Sequence, residues 1–272
     1  MSDIKITDLF NYSNVMADWI KTNPAAYQAY LNTAARTEHF TVANKLLIQG
    51  YMQNVQPKYL ADENDYLMAG YNVNPDAAIY VMKNAPEKKY GYEVRKMYDI
   101  SATNAEYDEP VLDKGFVLDA LLLNSPCQIE YTDSLPTKAL YNPDKGIIQM
   151  TKGFKSFEEI FFTIAQEYTH CLIHQRLQAV ENGKNGNTQI KLKYTRGSNM
   201  FSAFSVAYTL SERFNMRPAN CSIKSLPESW QYLECMDFKK ELSSIDTVLN
   251  EISAKVNEKL QILYRGDEAS VS

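Results

Sequence analysis

Residues 166 to 170 read Gln-Glu-Tyr-Thr-His, which matches every fixed position but the first of the pattern H-E-x-x-H. On a helix, the complete pattern holds Zn²⁺ with two imidazoles one turn apart. It also places a glutamate beside them as the base that takes a proton from the metal-bound water. Here Gln166 replaces the first imidazole, whereas Glu167 and His170 remain. The stretch therefore predicts a peptidase-type helix with Glu167 as the candidate catalytic residue. Metal chemistry at this helix would require another ligand in place of the missing first histidine.

A further histidine follows on the same stripe of the predicted helix. His174 lies four residues after His170, so the two side chains share one helix face. Two histidines at this spacing can chelate one divalent ion, which makes them the candidate metal ligands. The alternative is one buried, hydrogen-bonded histidine beside an exposed one. A peptidase site also needs a third protein ligand, and the next predicted helix has no carboxylate before Glu212. The cofactor is therefore either none or Zn²⁺.

The composition is that of a globular chain without a strong charge bias. Of the 272 residues, 45% are hydrophobic and 22% are charged, and the formal net charge is -5. This suits one large domain or two small ones. The amino-terminal MSDIKITDLF lacks a basic segment followed by an apolar run, and no window approaches the roughly 18 apolar residues of a membrane span. The four cysteines form no C-x-x-C pair. We therefore expect reduced thiols, no membrane partner and a cytoplasmic location.

Local signals divide the chain into two parts. Asn23-Pro24 and Thr41 are helix start signals, and turn-forming residues at 142–146 separate two short apolar runs as in a β-hairpin. Helices are predicted over residues 24–35, 43–51, 111–123, 157–179, 200–214 and 238–263, strands over 78–82, 94–100, 139–141 and 147–150, and a polar connection over 62–65. We expect an α+β fold, with a small mixed sheet and helices in residues 1–125, a helical peptidase-like domain in residues 126–265 and a flexible tail in residues 266–272.

The order of several short segments resembles the ArdC-type antirestriction proteins of mobile elements, over residues 19 to 230. The segments are ANKLLI at 43–48, GYNV at 70–73 ahead of IYV at 79–81, YDISAT at 98–103, ALY at 139–141 ahead of II at 147–148, and QEYTH at 166–170. The resemblance implies an N-terminal single-stranded-DNA-binding domain followed by a zincin-like metallopeptidase domain. It places Glu167 on the general base, His170 on the second metal histidine and His174 on a further histidine of some members.

Two departures from the family pattern argue against hydrolysis. Gln166 replaces the first metal histidine, and Phe204 lies where the downstream helix of active members offers a glutamate. A neutral amide is a poor Zn²⁺ ligand, and a phenylalanine is none. We therefore expect a pseudo-metallopeptidase rather than an active one. The alternative is an atypical metallopeptidase that uses Glu167 with a His170/His174 metal site.

Basic and aromatic residues alternate around the first two predicted strands. The resemblance implies DNA binding, but residues 1–125 carry 11 Lys and Arg against 16 Asp and Glu. Affinity for phosphates therefore requires basic groups gathered in one place, with tyrosines that stack on bases. The candidate DNA-binding residues are Lys83, Lys88, Lys89, Arg95, Lys96, Tyr80, Tyr90 and Tyr92. The alternative is a half-solvated sheet face. A second basic group, Lys184, Lys191, Lys193 and Arg196, is expected to be a solvated loop.

Together these observations predict a non-catalytic counter-defence protein, antirestriction or anti-CRISPR-like, from a phage or mobile element. Its expected partner is single-stranded DNA or a host defence protein. The acidic runs at 62–65 and 106–109 would suit a protein partner with a basic nucleic-acid groove, although such runs are usually solvated loops.

Overall fold

The computed structural model describes residues 4–53, 55–183 and 194–271. Contacts divide the chain into two compact units, Met1–Val111 with Ser222–Ser243, and Leu112–Cys221 with Ser244–Ser272. The helices are α1 (Ile6–Ile20), α2 (Pro24–Arg36), α3 (Val42–Tyr51), α4 (Glu63–Met68), α5 (Lys114–Leu123), α6 (Phe157–Gly183), α7 (Arg196–Arg213) and α8 (Cys235–Val271). The strands are β1 (Leu60–Ala61), β2 (Ile79–Asn84), β3 (Tyr92–Asp99), β4 (Ile129–Tyr131), β5 (Ala139–Asn142) and β6 (Ile147–Met150).

The first unit packs α1 and α3 against an antiparallel sheet with the strand order β1-β3-β2. Helices α2 and α3 begin where the sequence predicts, because the Asn23 side chain accepts a hydrogen bond from the Ala26 amide and Thr41 accepts one from the Asn44 amide. Leu9, Leu47 and Met82 form one core cluster, in which apolar side chains from α1, α3 and β2 meet. The strands predicted at 78–82 and 94–100 are present as β2 and β3, which pair with each other.

Asn44 joins α3 to the sheet. Its side-chain amide donates to the Met82 carbonyl at 2.9 Å and accepts from the Met82 amide at 2.9 Å. The asparagine is 6% exposed, and it satisfies backbone groups of an edge strand that would otherwise lie buried without partners. The ANKLLI segment thus contains a structural polar contact as well as core residues.

Asp99, in the YDISAT segment, holds the end of β3. One carboxylate oxygen accepts from the Lys58 amide at 2.7 Å and the Tyr59 amide at 3.2 Å, and the other accepts from the Ser101 amide at 3.0 Å. The residue is buried, so these bonds replace the water that a carboxylate needs. The hydrogen bonds of Asp99 therefore give the YDISAT segment a structural role in the fold.

The second unit is built around α6. The mixed sheet has the order β4-β6-β5, with β4 parallel and β5 antiparallel to β6. On α6, Tyr168 donates to the Leu121 carbonyl of α5 at 3.1 Å, and Phe161 packs edge-on against Phe214 after α7. The helix predicted over residues 157–179 and the predicted hairpin are therefore both present, as α6 and as the paired strands β5 and β6.

The α+β class is confirmed, and several local expectations are corrected. The polar connection at 62–65 lies mostly in α4, because Asp62 caps a helix by accepting from the Asp65 amide. The mixed sheet belongs to the second unit, whereas the sheet of the first is antiparallel. α7 begins at Arg196, and α8 continues to Val271 through the residues expected as a flexible tail. A single glycine costs a helix only about 1 kcal/mol, so Gly266 does not end it.

The contacts also place the division between units elsewhere than residue 125. α5 belongs to the second unit, and residues 222–243 belong to the first. The predicted domain bounds, 1–125 and 126–265, stay a prediction. Among the helices of the described residues, none has both the length and the apolar character needed to cross a membrane.

Candidate functional site

The motif residues lie on α6 at different depths. Glu167 is 2% exposed and His170 is 1% exposed, whereas Gln166 and His174 are half-buried. Gln166 and His174 share a helix stripe with His170, so the packing around each turn, rather than the helix spacing, sets the depth of each side chain. A buried carboxylate and a buried imidazole both need polar partners, and these partners decide what the site can do.

Both oxygens of the Glu167 carboxylate are occupied. Arg196 donates from Nη1 to Oε2 at 2.7 Å and from Nη2 to Oε1 at 2.6 Å. The Tyr141 backbone amide, on β5, donates to Oε2 at 2.7 Å. Bidentate, charge-assisted hydrogen bonds of this kind are roughly twice as strong as those between neutral groups. The expected general base is thus bound by an arginine and a strand amide.

Arg196 is the site residue that sequence reasoning missed. It was expected in a solvated basic loop, but it is the first residue of α7, after the N-cap Thr195, and its side chain is 33% exposed. The paired carboxylate of Glu167 raises the pKa of the guanidinium. The other members of that basic group, Lys184, Lys191 and Lys193, lie outside the described residues. The Thr195 cap was the local signal for an earlier helix start.

Two tyrosines engage the two histidines. Tyr194 Oη lies 3.0 Å from His170 Nδ1, and Tyr141 Oη lies 2.9 Å from His174 Nδ1. The other ring nitrogen of His174 lies 3.2 Å from the side-chain nitrogen of Gln178. The ring of Tyr194 also packs on His174, with centroids 4.9 Å apart. Both nitrogens of His174 and one of His170 therefore already have polar neighbours.

The electrostatics of the site keep His170 neutral. Burial, and then the charge of Arg196, lowers the pKa of His170 to about 4. Burial raises the pKa of Tyr194 to about 12. At neutral pH the pair is a neutral imidazole bonded to a neutral phenol, beside an ion pair between Arg196 and Glu167.

The residues of the site do not fit the metal that the complete motif would hold. Phe204 packs against Phe162, one turn before Gln166, with ring centroids 5.4 Å apart. The position expected to supply a carboxylate ligand is therefore part of an aromatic contact. Within the described residues, no group of three or more His, Cys, Asp and Glu side chains could hold a metal ion. A neutral amide at Gln166 and an aromatic ring at Phe204 are not Zn²⁺ ligands, and the guanidinium of Arg196 is bound to the carboxylate of Glu167.

The predicted DNA-binding residues lie on the β2–β3 hairpin, where ion pairs engage two of the five basic groups. Lys83 pairs with Glu93 at 2.9 Å, and Arg95 pairs with Asp62. Lys88, Lys89 and Lys96 are exposed and form no ion pair within the described part of the chain. The positive groups available to a phosphate backbone are therefore these three lysines.

The tyrosines of the same hairpin differ in accessibility. Tyr80 packs on Tyr51 of α3 with centroids 5.6 Å apart, and Lys96 lies over its ring at 5.9 Å. Tyr92 packs edge-on against Phe10 of α1 at 5.8 Å. Tyr90, near the hairpin tip, is 47% exposed and has Lys89 over its ring. Tyr80 thus packs against the core, whereas Tyr92, at 37% exposure, and Tyr90 both present ring area to the solvent.

Two solved structures share the fold of this chain, and both are crystal structures of the antirestriction ArdC protein from plasmid R388. The metal-free structure is 15% identical, with 93% of this chain and 98% of that chain covered and a TM-score of 0.56. The Mn(II)-bound structure is 16% identical, with 81% and 83% covered and a TM-score of 0.50. No protein-family model and no curated protein matches the chain. The polypeptide therefore adopts the ArdC-type antirestriction fold.

Proposed function

We propose that this chain is a non-hydrolytic counter-defence protein of the antirestriction type, carried by a phage or mobile element. It would act by binding single-stranded DNA or a host defence protein. Two observations support the proposal. The likeness to an ArdC structure covers 93% of the chain, and the groups of the motif that could catalyse hydrolysis are already hydrogen-bonded. In this proposal the peptidase-like unit is a scaffold rather than a hydrolase.

The hydrogen bonding of Glu167 is the observation that supports a protein without hydrolytic activity. A general base must have a lone pair within reach of the water that it activates. Both oxygens of Glu167 accept hydrogen bonds from Arg196, and one also accepts from the Tyr141 amide. The atypical metallopeptidase that would use Glu167 with His170 and His174 requires these bonds to be broken.

The binding part draws on the β2–β3 hairpin. Lys88, Lys89 and Lys96 supply positive charge without an ion-pair partner in the described chain, and Tyr90 supplies an exposed ring. This combination suits a single strand, in which phosphates and bases are both accessible. A host protein is the other partner class, because the net charge of the whole chain is negative and suits a basic protein surface.

A restriction-protection assay in cells tests the proposal. Cells with an active restriction enzyme would receive unmodified plasmid, with and without this protein. We expect the wild type to raise transformation, and we expect the double variant Glu167→Gln/Arg196→Gln, which removes both charges together, to protect equally well. Circular dichroism would verify that the double variant is folded.

Two results would contradict the proposal. If the wild type gives no protection, the antirestriction assignment fails. If the folded double variant loses protection while the purified wild type cleaves a protein substrate in a metal-dependent way, the metallopeptidase alternative is correct. Elemental analysis of the wild type and of His170→Ala/His174→Ala would then identify stoichiometric Zn²⁺ or Mn²⁺.

A further inference from the structure

We infer that Arg196 is a tethered cation that takes the place of a divalent metal ion in this fold. Its guanidinium neutralises Glu167 and excludes a metal from the α6 motif. The inference concerns the same site as the proposed function and rests on its non-hydrolytic part. It adds a specific role for one residue that lies outside the motif.

The first step is the need of Glu167 for positive charge. The carboxylate is 2% exposed, and an isolated buried carboxylate is strongly disfavoured in a protein interior. In a complete motif, the metal and its bound water provide the neighbouring charge. Here the two donors of Arg196, at 2.6 and 2.7 Å, provide it directly.

The second step is the electrostatically unfavourable position of Arg196 at the start of a helix. It is the first residue of α7, and the first turn of that helix has no acidic residue. A cation at a helix N-terminus opposes the helix dipole, whereas a carboxylate there is favourable. Glu167 supplies that carboxylate from α6. The arginine therefore stabilises the fold only because it reaches this partner.

The third step is the position of the guanidinium among the motif residues. Besides binding Glu167, it lies close enough to His170 to contribute to the low pKa of that imidazole. Tyr194, two residues earlier, bonds to His170. The arginine thus lies beside the two residues that the motif retains, where its charge would repel a divalent ion.

The fourth step is that Arg196 connects three elements through one carboxylate. Glu167 on α6 accepts from the β5 backbone and from the first residue of α7. A structural metal commonly joins separate elements in the same manner. Loss of the guanidinium should therefore weaken the packing among β5, α6 and α7.

The first experiment tests whether Arg196 stabilises the fold by neutralising Glu167. It compares the thermal and urea unfolding of four variants with that of the wild type. We expect Arg196→Gln to lower the folding equilibrium constant about a hundredfold, because a buried carboxylate loses its partner. Arg196→Lys should lose less stability than Arg196→Gln. The double variant Glu167→Gln/Arg196→Gln should be more stable than Arg196→Gln alone. Arg176→Gln is the matched control, since Arg176 forms an ion pair at 2.7 Å with Glu251 in which both side chains are half-exposed. An equal effect of the two arginine-to-glutamine substitutions would overturn the inference.

A second measurement tests the exclusion of metal, which a merely stabilising salt bridge would not predict. Gln166→His restores the first imidazole. We expect Zn²⁺ to raise the melting temperature of Gln166→His/Arg196→Ala by about 5 °C at a hundredfold excess over Kd. Gln166→His alone, with the arginine retained, should not respond, and neither Zn²⁺ nor a chelator should shift the wild type.

The outcomes separate this inference from the proposed function. A metal or chelator response of the wild type, or no response of Gln166→His/Arg196→Ala, would overturn the role of Arg196. Loss of restriction protection without either change would instead remove the antirestriction assignment and leave the role of Arg196 intact.

Discussion

At the scale of the residue, the site is defined by which polar groups find partners inside the protein. Glu167 and His170 are both buried, and each is bonded to a residue at or just before the start of α7. Such pairing is the physical requirement for burying a charge or an imidazole. The three hydrogen bonds to Glu167 also use three of the roughly four lone-pair sites of its carboxylate, so most of its capacity to activate a water is already engaged.

His170 should make stability depend on pH. Its folded pKa of about 4 is below the usual 6.5, because the imidazole is buried and lies beside the charge of Arg196. The unfolded chain therefore binds the proton first as the pH falls. Stability from this group is complete above pH 6.5, is lost progressively towards pH 4 and then levels off. The loss of unfolding free energy should reach about 2–3 kcal/mol.

Urea unfolding at pH 7, 5.5 and 4.5 measures this dependence, with His170→Gln and the exposed control His39→Gln. We expect His170→Gln to flatten the decline between pH 6.5 and 4, and His39→Gln to leave it as in the wild type. A wild-type decline that His170→Gln does not change would disprove the assignment.

At the scale of the element, helices and strands are joined by a few specific polar and close-packed contacts. Asn44 on α3 satisfies the edge of β2, and Asp99 closes the end of β3. Tyr141 on β5 contacts α6 through both its backbone amide and its hydroxyl. These contacts fix how each helix meets its sheet, which hydrophobic burial alone does not specify.

Asn44→Ala should destabilise the first unit by about 2 kcal/mol or more, because the Met82 amide and carbonyl lose their partners. Asn64→Ala, at an exposed position of α4, is the matched control and should change the unfolding free energy by no more than about 0.5 kcal/mol. Equal urea midpoints for the two variants would show that Asn44 is dispensable.

Alanine substitutions at two helical glycines should change stability in opposite directions. An added Cβ at Gly50, in α3, would lie 2.5 Å from Tyr12 Oη and 2.8 Å from Tyr12 Cζ, whereas at Gly197, in α7, it would meet nothing within 4 Å. We expect Gly50→Ala to cost about 1–3 kcal/mol through crowding. Gly197→Ala should be neutral or stabilise by up to about 1 kcal/mol, because alanine favours a helix. Thermal melts would measure both, and a stabilised Gly50→Ala would contradict the packing of α1 on α3.

At the scale of the whole molecule, charge is distributed so that a negative protein still presents a local basic group. The formal net charge is -5, yet one hairpin exposes Lys88 and Lys89 in its turn and Lys96 on its strand β3. Two of the predicted basic residues, Lys83 and Arg95, are instead neutralised by Glu93 and Asp62. Any affinity for a polyanion should therefore depend on the three exposed lysines.

Charge reversal at the hairpin tests this dependence. We expect Lys88→Glu/Lys89→Glu to weaken binding of a fluorescent single strand and to reduce the slope of log K against log salt by about 0.7 for each phosphate that the protein no longer neutralises. Lys145→Glu, on the exposed turn between β5 and β6, is the matched control and should bind as the wild type. No binding by the wild type even at low salt would remove the DNA hypothesis and leave the host protein as the partner class.

The sequence by itself determined the α+β class, most of the helix positions, the β5–β6 hairpin and the degeneracy of the motif at Gln166. These features depend on local caps, turns and periodicity, which act over a few residues. It did not determine α4, because the polar run at 62–65 has too few apolar residues to show a helical stripe. The burial of Tyr80 likewise depended on packing against α3.

Only the tertiary structure decided what Glu167 does. Its partner Arg196 lies 29 residues further along the chain, and its other donor, Tyr141, lies 26 residues earlier. An ion pair between residues so far apart has no local signature, and the charged residue itself suited a solvated loop equally well. Burial of Glu167 required a cation, and the start of α7 placed one within 2.6 Å of its carboxylate.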